Sequence, residues 1–365
     1  MCALKRRVLR KNFKSHRRCA ERMKPFLLLF KWCGMFANKI TDGQLKRCSK
    51  PFYSICVFWI SVYVSYICFL LSNFLKLDNA SMRLTIVFVK HLIGYISLSV
   101  NIIAAYSSQN HFGKLFDRLD SYDHEVARMK YERRDNLWIP RIATLLVTAV
   151  NLLLMSVIMH EKSMDVIFLM AISDICTICM HIYGTLEKSL LLYLILVRFK
   201  HLNEKIVPRI SWNEKRHGPN TIEISNVQIM HSMLYDAQRA FSDIYKNPLL
   251  LWFANLMMHI LVNVQIFRHK KPLISCAFVF PPFMQILILC TICHYTAEEA
   301  NKIGCIINGG MTALANSGQT MKKIEILTYL LDTRVSFDAA GYFTINLFLF
   351  QSIIATITTY FMILI

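Results

Sequence analysis

Residues 342–365 read YFTINLFLFQSIIATITTYFMILI, a run of 24 residues without one charge. As a helix rising 1.5 Å per residue the run is about 36 Å long, enough to cross a bilayer core of about 30 Å. Two more charge-free blocks stand at 52–74 and 247–267. Blocks of similar length, with at most two charges each, lie at 84–106, 138–159, 164–186 and 273–296. Backbone in lipid must satisfy its own hydrogen bonds, and the period-2 pattern of barrel strands is absent, so the blocks are predicted helices. The composition agrees: 55% of the 365 residues are hydrophobic and 18% charged, against about 25% charged in soluble domains. The predicted fold is an all-α membrane protein with seven transmembrane helices.

The fourth block has no clean stop. Its apolar periodicity continues across Glu187 and Lys188 through Leu190, Leu191 and Leu194 to Phe199, which predicts one long helix leaving the membrane at its C-terminal end. The basic residues then set the orientation. Of 42 Lys and Arg, 33 fall in residues 1–50 and the second, fourth and sixth loops, and 6 in the first, third and fifth. Basic loops stay inside, so the N-terminus is expected in the cytoplasm and the C-terminus outside. The sequon Asn79-Ala80-Ser81 lies in the first loop, outside on this topology, and makes Asn79 a candidate glycosylation site. Residues 1–51 are expected to form a basic cytoplasmic segment with an interfacial helix over Pro25–Phe36. Residues 52–365 form the helical domain, with 187–246 and 297–341 as cytoplasmic helical extensions.

The net charge of +19 is explained by this asymmetry and by attraction to anionic membrane lipids. No aromatic interleaving accompanies the basic stretch Lys5–Arg22, so nucleic acid is not an expected partner. Cys176-x-x-Cys179 and Cys290-x-x-Cys293 have zinc-like spacing but lie inside apolar blocks. There, thiols serve packing, and neither a metal nor another cofactor is implied. No hydrolase, kinase or phosphate-loop signature is present, so the chain does not read as an enzyme. A G-protein-coupled receptor would need the opposite orientation and an Asp-Arg-Tyr turn. That sensor class and a membrane transporter stay as the alternatives to a receptor channel.

Depth selects candidate binding residues, because polar groups inside spans are costly without partners or water. They are Lys90 and His91 in the second span, Asp174 in the fourth, His259 and Asn263 in the fifth and Gln285 in the sixth. Lys90 and Asp174 are the natural ion pair. Phe280 and Phe283 flank Pro281-Pro282, which is expected to open the sixth span there. Apolar walls with a few placed polar groups suit a small molecule.

The end of the chain carries a family resemblance. Gly341-Tyr342-Phe343 opens the last block, and Thr359-Tyr360 followed by Phe361-Met362-Ile363-Leu364-Ile365 closes it. Two other stretches accompany them: Arg198-Phe199-Lys200-His201-Leu202-Asn203-Glu204, and Phe112-x-x-Leu115-x-x-x-Leu119-Asp120. In this order they resemble the insect gustatory receptor family, whose last helix reads Thr-Tyr, five apolar residues, then Gln-Phe. The Gln-Phe pair, to which that family's gate is attributed, has no counterpart in this sequence. The resemblance implies a tastant-gated, non-selective cation channel, assembled as a homo- or heterotetramer with related subunits in the plasma membrane of a sensory neuron. It also implies that the seventh helices line the pore. Ser352, Thr356 and Thr359 fall at offsets 0, 4 and 7, one face of a helix, and are the expected outer lining. Met362 and its neighbours are the expected apolar constriction.

Overall fold

The computed structural model describes residues 19–41, 44–46, 50–75, 82–129, 166–211, 221–267, 272–312 and 321–364, with isolated positions between 138 and 149. A one-turn helix α1 (Cys19–Arg22) leads into α2 (Lys24–Trp32). The helix α2 buries Phe26, Leu27 and Phe30 and leaves Leu28 and Trp32 exposed, the two-faced pattern expected of an interfacial helix. It ends on Gly34, whose φ of +74° lets the Met35 N–H reach back to the Phe30 carbonyl at 2.9 Å, a glycine-dependent helix stop. A two-stranded antiparallel hairpin follows, β1 (Lys39–Thr41) with β2 (Gln44–Lys46).

The long helices are α3 (Lys50–Leu75), α4 (Met82–Ser107), α6 (Val166–His201), α7 (Ile224–Phe267) and α8 (Pro272–Thr312). Between them stands the amphipathic α5 (Gln109–Arg128), and the chain closes with α9 (Met321–Asp332) and α10 (Leu347–Leu364). Five described helices are long and apolar enough to cross a membrane, and Leu347–Ile363 is a shorter apolar one. Predicted spans 52–74 and 84–106 fall within α3 and α4. The 138–159 span lies almost entirely outside the described residues, and so does Asn79.

The fourth span is one helix of 36 residues, continued by a π-turn (Leu202–Ile206) and a 3-10 turn (Val207–Arg209). The helix α7 has 44 residues, about 66 Å at 1.5 Å each. It runs without interruption through part of the expected 187–246 extension and the whole 247–267 span. It is the central helix, packing on α4, α5, α6 and α8. At the end carrying the basic loops the core is as dense as that of a soluble bundle. There Leu115, Leu119, Leu192, Phe199, Val227, Leu234 and Phe241 are fully buried. Towards the other end helices present apolar side chains outward, as Val64, Phe69 and Leu71 do on α3.

Two expectations are corrected. Pro281-Pro282 does not open the sixth span: both prolines lie inside the continuous α8. Proline 282 removes the donor that the Phe278 carbonyl would use, and the Asn263 Nδ2 of α7 donates to that carbonyl at 3.4 Å instead. Neighbouring helices commonly re-satisfy such carbonyls within membranes. The last helix begins at Leu347, five residues after the expected start at 342. Ala340 and Gly341 both have positive φ, +53° and +79°, and the Gly341 N–H donates to Asp338 Oδ1 at 2.7 Å. This turn holds the preceding segment off the helix. Asn346 then accepts from the Leu349 N–H at 2.9 Å, capping the first turn of α10.

Candidate functional site: a buried polar layer and an exposed terminal helix

The residues chosen by depth are buried, and most converge. Lys90 and His91 on α4, His259 and Asn263 on α7, and Gln285 on α8 are each 5–7% exposed. His259 lies within electrostatic reach of Lys90, His91 and His181, and the rings of His181 and His259 are 6.5 Å apart. Asp174 lies on α6, but its side chain is outside the described residues, and with it the expected pair to Lys90. Phe283 is half-buried with its ring 5.3 Å from Phe350 of α10. Phe280 is 61% exposed, so it turns outward and walls nothing in this layer. A rigid, unbroken α8 explains this: positions 280 and 283 are three residues apart, about 60° around the axis, and only the second faces α10.

Four contributors were missed by the depth argument: His181 and Thr185 on α6, and Trp252 and Asn255 on α7. All are at most 3% exposed. The Trp252 Nε1 donates to Thr185 Oγ1 at 3.0 Å, and Thr185 donates to Gln285 Oε1 at 2.8 Å. This chain joins α7, α6 and α8. Nearby, Gly94 of α4 gives the closest approach: a Cβ there would stand 3.1 Å from Asn255 Oδ1 and 3.4 Å from Thr177 Cγ2. Among the described residues neither polar atom of Asn255, nor Nε2 of His181, has a hydrogen-bond partner. Buried polar atoms without partners cost about 1–3 kcal/mol each. The Asn255 amide thus offers a donor and an acceptor, and His181 an imidazole nitrogen. The signal was available, since both residues are polar within an apolar block.

Below this layer α6 buries two charges that the sequence placed at the start of an extension. Glu187 and Lys188 are fully buried. Lys188 Nζ stands 3.9 Å from the Trp252 ring centroid and 5.0 Å from that of Tyr245, and donates to Asn101 Oδ1 at 2.9 Å. Tyr245 and Trp252 are seven residues apart on α7, two turns along one face, so they sandwich a cation.

At the basic end, two of the sequence landmarks meet. Arg198 is fully buried, with Nε and Nη2 on the Asp123 carboxylate at 3.1 and 2.6 Å and Nη1 on the Leu194 carbonyl. Tyr122 bonds His201 Nδ1 at 2.9 Å, and Asn203 donates to the Glu299 carbonyl at 2.6 Å. Asp120 accepts from the Cys19 N–H at 2.8 Å, tying in α1, and burial raises its pKa above the usual carboxylate range. The residues Phe112, Leu115 and Leu119 of the other landmark are fully buried beneath this network. Among the described residues no group of three or more His, Cys, Asp or Glu could hold a metal.

The helix α10 sits at the edge of the bundle, packed on α7 and α8. It buries Ile353 and half-buries Leu349, Phe350, Ile357 and Tyr360; Ser352, Thr356, Thr359 and Met362 are exposed, together with Phe348, Gln351, Ile354, Ala355, Thr358, Phe361 and Ile363. The hydroxyls of Ser352, Thr356 and Thr359 donate to their own i−4 carbonyls at 2.9–3.0 Å. That spends each donor inward and leaves the oxygen lone pairs facing out. Gly341 lies in the turn before the helix, and Phe343 packs edge-on against Phe253 at 5.8 Å.

Comparison with known proteins places these features in context. The model of the 7tm chemosensory receptor family matches residues 23–365. The structure of the insect olfactory receptor OR5 from Machilis hrabei superposes with a TM-score of 0.70 at 11% identity, covering 94% of this chain and 97% of that chain. The same receptor in complex with eugenol gives a TM-score of 0.67 at 12% identity with the same coverage. At these identities the likeness is one of fold. No curated protein matches the sequence.

Proposed function

The chain belongs to the 7tm chemosensory receptor family, and we propose that within it this protein is a gustatory-type subunit of a ligand-gated, non-selective cation channel. The taste assignment rests on the Gly341-Tyr342-Phe343 and Thr359-Tyr360 landmarks. The channel assignment is carried by one observation, the exposed hydroxyl-bearing face of α10. A face of Ser and Thr oxygens gains nothing against lipid but can replace part of a cation's hydration shell in water. Four copies around an axis, as a homo- or heterotetramer in the plasma membrane, would turn Ser352, Thr356 and Thr359 inward, with a constriction at Met362 on their outer side. The N-terminus is then cytoplasmic.

The ligand is a small molecule with one or two polar groups, held in the layer of Lys90, His91, His181, Asn255, His259 and Gln285. Asn255 supplies the donor and acceptor that such a ligand would complete. The OR5 structure with eugenol, a methoxy-substituted phenol and so a small molecule with two polar groups, supports the class and not the identity.

Recording from cells expressing the chain, against a panel of sugars and bitter compounds, tests the reading. Excised patches should conduct without nucleotide or G protein. Cysteines at Ser352, Thr356 and Thr359 should react with small charged thiol reagents in the open state and change conductance. Cysteines at Ile353 and Ile357 should be inert. Met362→Ser should raise ligand-independent current. Equal reactivity around the helix, with basal current unchanged, removes α10 from the pore.

A further inference from the structure

Just beyond the end of α4 at Ser107, the residues at 109, 110, 113, 114, 117, 118 and 121 of α5 share one helical face. All are polar or glycine, whereas Phe112, Leu115, Phe116 and Leu119 on the opposite face are fully buried. The polar face is the floor of an open groove of about 440 Å³, walled on its other side by Asn38 and Leu45. That volume lies in the range of small-molecule sites.

Three observations say what it holds. Asn38 is 2% exposed, and its Nδ2 donates to the Gln109 carbonyl at 2.9 Å. That bond fixes the amide, and among the described residues its Oδ1 has no hydrogen-bond partner. A buried acceptor lining a groove calls for a donor on the ligand. Second, Gly113 lies in the floor, and nothing stands within 4 Å of where its Cβ would be. The missing side chain is open space, not a helix contact. Third, Lys114 and Arg118 project from successive turns into the same groove. Arg118 pairs with Asp236 at 3.0 Å, which positions its guanidinium and leaves further N–H groups to donate. Lys39 and Lys46 stand opposite each other on the adjoining hairpin. Asp117 is the one carboxylate among the described lining residues.

The chemistry excludes as much as it selects. Among the described lining residues there is no aromatic ring for a nucleobase to stack on. Leu45 is the one apolar side chain among the described lining residues, so an apolar odorant gains little. A molecule with both hydroxyl donors and phosphate acceptors fits each group. Its hydroxyls donate to Asn38 Oδ1 and the Asp117 carboxylate, and its phosphate accepts charge-assisted bonds from Lys114 and Arg118.

We propose that this groove is a second ligand site, distinct from the polar layer, which binds a phosphorylated polyol of the inositol phosphate type. Two sources share that chemistry: the headgroup of a phosphoinositide lipid and a free inositol phosphate. The groove starts within two residues of a membrane-crossing helix and extends about 18 Å along α5 at 1.5 Å per residue. A headgroup can therefore enter from the bilayer surface and a free ligand from the water.

The full-length purified protein provides the test. One arm measures anisotropy of fluorescent inositol trisphosphate with protein in detergent. The other measures binding in phosphatidylcholine nanodiscs doped with phosphatidylinositol 4-phosphate or, as control, phosphatidylserine. Saturable binding in either arm upholds the site, and the arm that binds identifies the source. Lys114→Gln should weaken it about tenfold or more, the worth of one charge-assisted bond. Gly113→Leu should abolish it while leaving the melting temperature unchanged or raised, because leucine fills the groove and is the better helix former. No saturable binding in either arm, equal binding of phosphatidylserine, or wild-type affinity in Gly113→Leu overturns the proposal.

Discussion

The strongest stability prediction concerns Lys188. Its ammonium is fully buried, 3.9 Å from the Trp252 ring centroid and 2.9 Å from Asn101 Oδ1, with Gly184 O at 3.2 Å. Lys188→Met keeps most of the side-chain volume and removes the charge. The Asn101 acceptor loses its donor, at a cost of about 1–3 kcal/mol, and a desolvated cation–π contact worth about 2 kcal/mol disappears. Glu187, one residue before, is also fully buried, with Tyr245 beside it, and it loses the neighbouring positive charge. Breaking one partner of a buried charge pair typically costs about 3–5 kcal/mol, a figure in line with the separate contributions. At about 2 °C per kcal/mol, fluorescence-detected size-exclusion melting in detergent should show a drop of roughly 6–10 °C. Glu187→Gln combined with Lys188→Met removes both charges and should recover only the part of the loss that comes from leaving the Glu187 carboxylate uncompensated, since the Asn101 bond and the cation–π contact stay lost. A single variant that melts within about a degree of wild type would refute the aromatic cage. A double variant no more stable than the single would show instead that the two charges are not coupled.

Gly184→Ala places a Cβ 2.4 Å from Trp252 Cη2. The indole is held by Thr185 and Lys188 and cannot yield, so surface expression should fall sharply, and Gly184→Ala with Trp252→Leu should regain part of it; normal expression of the single variant would mean that α6 and α7 can separate freely. For orientation, an epitope at the N-terminus should stain only after permeabilisation, and one appended after Ile365 should stain intact cells. The reverse pattern would overturn the charge-based topology and with it the position of every loop.

Much of the fold was readable because bilayer thickness imposes its length scale on the sequence. The block 52–74 becomes α3, and the unbroken periodicity through Leu194 and Phe199 becomes the long α6. The buried polar residues were readable for the same reason, since Lys90 or His259 in an apolar block needs an explanation. What failed was whatever depends on a group far away in the chain. The tandem prolines stay helical because Asn263 reaches the Phe278 carbonyl from another helix. Glu187 and Lys188 look like the beginning of a solvated extension until Tyr245 and Trp252 close over them. The last helix starts late because a positive φ at Ala340 and Gly341, caught by Asp338, outweighs the apolar character of Tyr342 and Phe343.

On the channel reading, the same details tell which element can link ligand to pore. The 41-residue α8 carries Gln285, the end of the Trp252–Thr185–Gln285 chain, and two residues before it Phe283, which packs on Phe350 of α10. A ligand that bonds Asn255 or competes for Thr185 changes the restraint on Gln285, and the nearest consequence falls on the Phe283–Phe350 contact. Immediately before that contact stand Pro281 and Pro282, where the helix has lost two backbone donors and is held by the 3.4 Å bond from Asn263. That long bond is the weakest restraint on the direction of α8 and the one that a small displacement of α7 or α8 would break first. Coupling requires an element with two arrangements of similar energy. On this reading the proline pair with its one replaceable bond, placed between the polar layer and the terminal helix, is where such an element would lie. On the channel reading, Asn263 would then act less as a contact for the ligand than as the catch on the helix.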